Sequence, residues 1–231
     1  MNRRSLLLSG GAAVVAAGAY AGYSALNGGD TPSLAQTLIE PSAAHAQTSG
    51  ETVDTSRVLE MELGNPDAAV TIMEFASYTC PHCAHFHSDV WPTLKAEYID
   101  TGKVRFIYRE VYFDAYGLWA ALVARCGGQM RYFGISDILY DEQQQWARGD
   151  DASAVADNLR RIGRRAGMSD DQLNQCLTDR DLATAMMQVY QEGMQEHDIR
   201  GTPSFVINGT TYSNMSMNEF RAILDPLLGN G

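Results

Sequence analysis

Basic side chains are scarce in this chain of 231 residues. Lysine and arginine together number 17 against 28 aspartates and glutamates, and only two of the 17 are lysines, so the formal net charge is −11. A protein that binds nucleic acid through its phosphates needs clustered positive charge on one surface. The composition therefore argues against a nucleic-acid partner.

Proline is also scarce, and none of the seven prolines lies between residues 115 and 198. Proline disrupts helix interiors, and its absence here accompanies helical patterns that are broken only at "CGGQ", "ARGDD", "RAGMSD" and "TDRD". No good strand pattern occurs in this stretch. We predict four or five successive helices between residues 115 and 198.

Charged side chains are missing altogether between Arg4 and Asp30. Paired arginines followed by a run rich in leucine, alanine and glycine are typical of an export signal. We predict that residues 1–29 direct export to the periplasm. The paired arginines are compatible with the twin-arginine route, and Sec export or an uncleaved membrane anchor at residues 5–29 fits nearly as well. Residues 30–56 are rich in glycine, serine, threonine, proline and alanine, which predicts a flexible linker.

The remaining residues, 57–231, predict one α/β domain. The order is strand, helix, strand, helical block, strand, strand, helix, and "RVLEMEL" is a candidate for a short additional strand before these. The β-rich apolar run "VTIMEFASY" predicts a buried strand, and "KVRFIYREV" predicts the second. The helix that begins at Pro81 contains Pro92, so we expect a kink near Trp91. An "NGT" turn joins the last two strands as a hairpin.

The candidate chemistry lies in "TCPHC", where Cys80 and Cys83 follow a buried strand and begin a helix. Unpaired N–H groups and the helix dipole favour an anion at a helix start, and such settings lower a cysteine pKa from near 8.5 to roughly 3.5–7.5. Cys80 is thus the predicted thiolate and Cys83 the more buried resolving thiol. Pro81 suits the first helical turn, and the His82 imidazole is predicted to stabilise the thiolate.

Three histidines also lie close to this pair, which raises the alternative of a metal site. Cys80, Cys83 and a histidine have the right chemistry for zinc. However, His85 and His87 differ by about 200° around a helix, so they cannot both face Cys80. We expect no metal and no other cofactor, and we assign no role to His85 or His87.

Taken together, "FASYTCPHC", the helical block and "GTPSFVING" near the end of the chain resemble the DsbA-like thiol-disulfide oxidoreductases over about residues 57–229. The resemblance implies a thioredoxin-like fold with a helical insertion between the second and third core strands. It also implies that the Thr202–Pro203 bond is cis and that its loop lies against the cysteines, where the backbone pairs with bound substrate.

Two further site predictions depend partly on this resemblance. Glu74 lies within an apolar strand, and family members often carry an acidic residue at the matching place, so we predict a buried carboxylate that relays protons for Cys83; a partly exposed edge residue is the alternative. Some DsbA-like proteins have a second disulfide, which implies a Cys126–Cys176 bond; two buried free thiols are the alternative. Tyr78 and Met215 are candidates for exposed apolar contacts with unfolded substrate.

We predict a periplasmic, monomeric dithiol oxidase that acts on reduced, newly exported proteins. The resemblance implies reoxidation by a quinone-linked membrane oxidase. An isomerase or reductase is the alternative within the class, although isomerases of this fold usually need a dimerisation domain for which residues 30–55 are too short. A metal-binding or chaperone module on the same fold is the alternative outside the class.

Overall fold

A mixed β-sheet forms the centre of the computed structural model, which describes residues 53–149 and 151–229. When the five strands are numbered β1 to β5 along the chain, their order across the sheet is β1-β3-β2-β4-β5. Strands β2 and β3 are parallel, and the other neighbouring pairs are antiparallel. The strands are β1 (Met61–Gly64), β2 (Val70–Ala76), β3 (Val104–Glu110), β4 (Ser204–Ile207) and β5 (Thr210–Ser213).

Helices connect and cover these strands. The predicted kink is confirmed, because the first helix ends at Asp89 and a second begins at Trp91, followed by a π-helical segment at Lys95–Ile99. The sequence predicts four or five helices for residues 115–198, and the described part of this stretch contains six. The additional helix is a single turn. The helices are α1 (Pro81–Asp89), α2 (Trp91–Leu94), α3 (Ala115–Cys126), α4 (Gln129–Asp141), α5 (Gln143–Trp146), α6 (Ala152–Arg165), α7 (Asp170–Leu177), α8 (Arg180–Glu196) and α9 (Met217–Leu227).

The insertion α3–α8 separates β3 from β4, so the predicted thioredoxin-like fold is confirmed. Helices α1 and α9 pack on one face of the sheet, where the ring of Phe205 lies 4.8 Å from Phe86 and 4.9 Å from Phe220. On the other face Phe75 and Val206 contact side chains of α8. Burial of these apolar side chains supplies most of the driving force for folding.

The predicted hairpin is confirmed as a two-residue turn between Ile207 and Thr210. Asn208 and Gly209 both have positive φ, 44° and 84°. A type I′ turn requires this conformation at both central residues, and Asn-Gly is its preferred sequence.

A disulfide joins Cys126 at the end of α3 to Cys176 in α7, with the two Cα atoms 5.8 Å apart. The two cysteines are separated by 50 residues in sequence. In the chain-entropy account, closing a loop of this length stabilises the folded state by about 4 kcal/mol. The bond therefore fastens α7 to the part of the insertion that packs against the sheet.

The predicted export signal and nearly all of the predicted linker, residues 1–52, lie outside the described residues. Within residues 53–149 and 151–229, every helix is too short or too polar to cross a membrane. The predicted boundaries of the signal, linker and domain stay predictions.

Candidate active site

Cys80 occupies the N-cap of α1, directly after the loop that leaves β2. Its backbone is extended, with φ −80° and ψ 120°, and Pro81 fills the first helical position. Proline is well suited to that position because its missing N–H has no helical partner there anyway. The sulfur of Cys80 consequently lies at the positive end of the helix.

Cys80 and Cys83 are both free thiols, but their surroundings differ. Cys80 is 9% exposed, whereas Cys83 is 0% exposed. A hydrogen bond from the Cys83 thiol is the largest of the effects that lower the pKa of Cys80 to about 5; a hydrogen bond with Thr202 and the backbone N–H groups of Cys83 and His82 follow. Burial, together with the adjacent Cys80, raises the pKa of Cys83 far above its ordinary value. The pair therefore contains one accessible thiolate and one buried thiol.

The peptide bond between Thr202 and Pro203 is cis. The Cys80 thiol donates to the carbonyl oxygen of Thr202 over 3.5 Å, so the loop lies against the cysteine as the resemblance implied. Beside this contact runs an open groove of about 560 Å³, lined by His82, Thr202, Pro203, Arg200, Tyr212 and Asn214 among others. The groove therefore includes Thr202, the residue whose carbonyl oxygen contacts the Cys80 thiol.

Glu74 lies near the middle of β2, paired with Tyr108 of β3 and Phe205 of β4. It is 0% exposed, and neither carboxylate oxygen accepts a hydrogen bond from the described residues. The Nε2 atom of His87 lies 3.5 Å from its Oε1 atom. Because a buried carboxylate without hydrogen bonds is costly, this position favours a functional role.

Two polar residues that the sequence did not single out hold the loop before Cys80. The buried amide of Gln143 in α5 donates to the carbonyl oxygens of Tyr78 at 2.8 Å and Cys80 at 2.9 Å. Asp114, the N-cap of α3, accepts from the hydroxyl of Thr79 at 2.8 Å. The sequence "DAYG" contains a helix-capping signal that could identify Asp114, but no local pattern indicates its contact with Thr79.

The structure gathers most of the predicted site residues around the start of α1: Cys80, Cys83, Pro81, His82, Thr202 and Pro203. Glu74 instead lies beside the end of this helix, where it contacts His87. His82 is exposed on the groove side. Cys126 and Cys176 form the separate disulfide of the insertion.

The expectation that Tyr78 and Met215 are exposed is wrong. Tyr78 is 1% exposed, and its hydroxyl bonds to Tyr132 and Ser136 of α4. Met215 is also buried. The helical insertion covers Tyr78, and local sequence patterns do not reveal that covering.

Among the described residues, no three histidine, cysteine or acidic side chains are arranged to hold a metal ion. His85 is exposed while His87 is buried against the sheet, so the two point in different directions as their helical spacing predicts. The geometry at Cys80 is that of a thiol pair.

Comparison with known proteins gives consistent matches. A family model described as thioredoxin matches residues 56–226. A putative protein-disulfide oxidoreductase of Rickettsia bellii is 33% identical over 167 residues, which is 72% of this chain and 63% of the relative. The chain thus spans less than two thirds of the length of that relative.

Two other matches agree with this assignment. Disulfide bond formation protein D of Bacillus subtilis is 25% identical over 164 residues, covering 67% of this chain and 70% of the relative. The crystal structure of α-DsbA1 from Wolbachia pipientis superposes with a TM-score of 0.67 at 29% identity, covering 74% of this chain and 91% of that one. With the fold, the cysteine pair and the cis proline in place, the chain belongs to the DsbA-like family of thioredoxin-fold proteins.

Proposed function

We propose that this protein is an exported thiol-disulfide oxidoreductase that oxidises the cysteines of newly exported proteins. The observation that carries the proposal is the contrast between the accessible, acidic thiol of Cys80 and the buried thiol of Cys83. A stabilised thiolate favours the reduced form of the pair and makes its disulfide a stronger oxidant. The export signal predicted in residues 1–29 and the Bacillus relative's printed name support the same direction.

The oxidation begins with the disulfide form of the Cys80–Cys83 pair. A client thiolate attacks the Sγ atom of Cys80, because Cys83 is inaccessible; the Cys80–Cys83 bond breaks, and Cys83 leaves and takes a proton. A second client thiolate then attacks the client sulfur of the mixed disulfide. The client gains its disulfide, Cys80 leaves as a thiolate, and two electrons have moved from the client to the enzyme.

The groove beside the cis-proline loop supports an extended client as substrate. In this proposal the backbone at Thr202 pairs with the client, and Pro203 holds that loop against Cys80. Glu74 supplies the proton to Cys83 when the enzyme disulfide opens and accepts it when the disulfide forms again. A quinone-linked membrane oxidase is the proposed acceptor of the electrons.

The test is the reduction potential of the Cys80–Cys83 pair, measured at equilibrium with glutathione. We expect a value of about −120 to −200 mV, because a thiolate stabilised in the reduced state raises the potential. A value near that of thioredoxin, about −270 mV, would overturn the oxidase proposal in favour of a reductase.

A second assay separates oxidation from isomerisation. The oxidised full chain is mixed with a reduced, unfolded protein or with a scrambled one, and the disulfides formed are identified by mass spectrometry. We expect rapid oxidation of the reduced protein and poor reshuffling of the scrambled one. Cys83→Ser should trap the client as a mixed disulfide on Cys80, and Cys80→Ser should be inactive. Efficient reshuffling of the scrambled protein by the native cysteine pair would instead favour an isomerase.

A further inference from the structure

His87 lies on the same face of α1 as Cys83. The two residues are four positions apart, which places them within about 40° around the helix. Both are buried, and both face the sheet that carries Glu74. His85, two positions from each, lies on the exposed side of the helix.

Acidic and aromatic side chains surround His87 on every packed side. Glu74 of β2 lies 3.5 Å away, and the ring of Tyr140 of α4 is stacked on the imidazole with centroids 3.9 Å apart. Tyr108 of β3 and Trp91 of α2 lie at centroid distances of 6.3 Å and 5.3 Å. Neither imidazole nitrogen has a hydrogen-bond partner among the described residues.

Asp137 of α4 is an exposed residue that shares a neighbour, Trp91, with His87. Its side chain is exposed, and His87 and Trp91 act on its carboxyl. Partial burial raises the pKa of Asp137, and its neighbours His87 and Trp91 act to lower it. The His87 side chain is itself 5% exposed. His87 thus contacts a fully buried acid while its own side chain keeps a small exposed surface.

We propose that His87 carries protons between the buried carboxylate of Glu74 and the solvent beside Asp137, and thereby limits how fast Cys83 gains or loses its proton. The inference rests on the proposed function, since it assigns the route by which Glu74 exchanges protons with water. Glu74 needs such a route because it is 0% exposed. An imidazole suits the task because one ring nitrogen can accept a proton while the other donates one, and both nitrogens of His87 lack a hydrogen-bond partner among the described residues.

The proton movement balances during reoxidation. The Cys80 thiolate first attacks an acceptor disulfide, which forms a mixed disulfide and releases one acceptor thiolate. The Sγ atom of Cys83 then bonds to that of Cys80, the bond from Cys80 to the acceptor breaks, and a second acceptor thiolate leaves. The Cys83 proton passes to Glu74, then to His87 and water, while two electrons reduce the acceptor disulfide.

The experiment follows the two steps separately in the reduced full chain mixed with oxidised glutathione. Acid quenching and mass spectrometry give the rate at which the Cys80–glutathione adduct forms and the rate at which Cys83 resolves it. His87→Gln should leave the first rate unchanged and slow the second by about 100-fold, the lower end of the range for positioned proton transfer. His85→Gln, a change to an exposed histidine of the same helix, should alter neither.

Glu74→Gln and the double variant show whether the two residues act in series. Glu74→Gln should slow resolution, and adding His87→Gln should slow it no further. Slow resolution in Glu74→Gln with a normal rate in His87→Gln would overturn the His87 route and leave the role of Glu74 intact. A normal resolution rate in both single variants would overturn the His87 route and the proposed role of Glu74 as well.

A rescue experiment separates proton transfer from packing. His87→Ala leaves space where the ring lay, and added imidazole should restore the resolution rate. Pyrazole has nearly the same shape but stays unprotonated near neutral pH, so it should not restore the rate. Equal rescue by both compounds would assign His87 a packing role and overturn the proposal.

Discussion

Cys80 and Cys83 are three residues apart on one helix, yet their thiols differ in exposure and acidity. Position accounts for the difference. Cys80 lies at the N-cap, where N–H groups and the Cys83 thiol favour its anion. Cys83 lies one turn later against the sheet, where burial disfavours an anion.

The first residue-scale prediction concerns the donor that lowers the pKa of Cys80. Because the hydrogen bond from Cys83 is the largest cause, Cys83→Ala should raise the pKa of Cys80 from about 5 towards its ordinary value. Cys83→Ser keeps an O–H donor and should raise it less. Thiolate absorbance measured against pH gives the midpoint, and equal midpoints in the two variants would contradict the assignment.

The same pKa determines how the stability of the reduced protein depends on pH. The pKa of Cys80 is about 5 in the folded state and that of an unfolded cysteine is about 8.5. A lowered folded pKa contributes stability that is complete above about pH 8.5 and is lost as the pH falls through about 5. Relative to Cys80→Ala, the reduced chain should therefore gain unfolding free energy from pH 5 to pH 8.5. Urea unfolding across that range measures the gain, and parallel curves for the two proteins would contradict it.

At the scale of elements, the single-turn helix α5 supports the active-site loop. Gln143 donates to two carbonyl groups of that loop, at Tyr78 and at Cys80. The site therefore depends on the helical insertion as well as on the thioredoxin-like core. The insertion affects the chemistry because the hydrogen bonds from Gln143 fix the backbone position of Cys80.

We expect Gln143→Leu to destabilise the protein and to slow exchange at Cys80. The leucine removes both donors and leaves two carbonyl groups near a buried apolar side chain, which costs about 1–3 kcal/mol for each unsatisfied group. Gln145→Leu, in the same helix but exposed, is the matched control and should change little. Urea unfolding and the rate of adduct formation with glutathione check the two effects; a loss of stability with an unchanged rate would limit Gln143 to a structural role.

Elements with strong local signals were predictable from the sequence. β2 and β3 are apolar β-rich runs, α1 begins at a proline, and Asn208-Gly209 specifies the hairpin turn. The extra helix α5 was missed because one turn of "QQQW" has no periodic pattern to detect. The structure alone defines the bounds of α5, Gln143–Trp146.

Predicting the site from sequence failed where residues distant in the chain meet. The cysteine motif and the Thr202–Pro203 loop have recognisable sequences, so both were found. His87 contacts Glu74, Gln143 contacts loop carbonyls, and single-sequence patterns do not report such contacts. Tyr78 was misplaced for the same reason, because α4 covers it.

For the molecule as a whole, a buried ion pair connects the insertion to the sheet. Arg125 of α3 contacts Glu110 at the end of β3 at 2.7 Å, with the two side chains only 7% and 5% exposed. Glu110 also accepts from the hydroxyl of Tyr132 at 2.7 Å, and Arg125 donates to the carbonyl oxygen of Leu59. The two parts of the fold thus share one satisfied polar cluster.

We expect Arg125→Met to be among the most destabilising single changes in this chain. The methionine fills much of the volume of the arginine stem but leaves Glu110 buried without its cation, and breaking such a pair costs about 3–5 kcal/mol. Arg165→Met is the matched control, because Arg165 pairs with Glu142 at the surface and exposed pairs contribute about 0–1 kcal/mol. Chemical unfolding followed by circular dichroism measures both.

The double variant Arg125→Met with Glu110→Gln tests the physical reason for that loss. Replacing Glu110 by a neutral amide removes the uncompensated charge, so the double variant should recover part of the stability that Arg125→Met loses. No recovery would mean that the guanidinium bonds to Leu59 and the packing of Arg125 account for the loss. If Arg165→Met were as damaging as Arg125→Met, burial would not be what makes the Arg125–Glu110 pair important, and the connection between insertion and sheet would have to depend on the Cys126–Cys176 disulfide and on apolar packing instead.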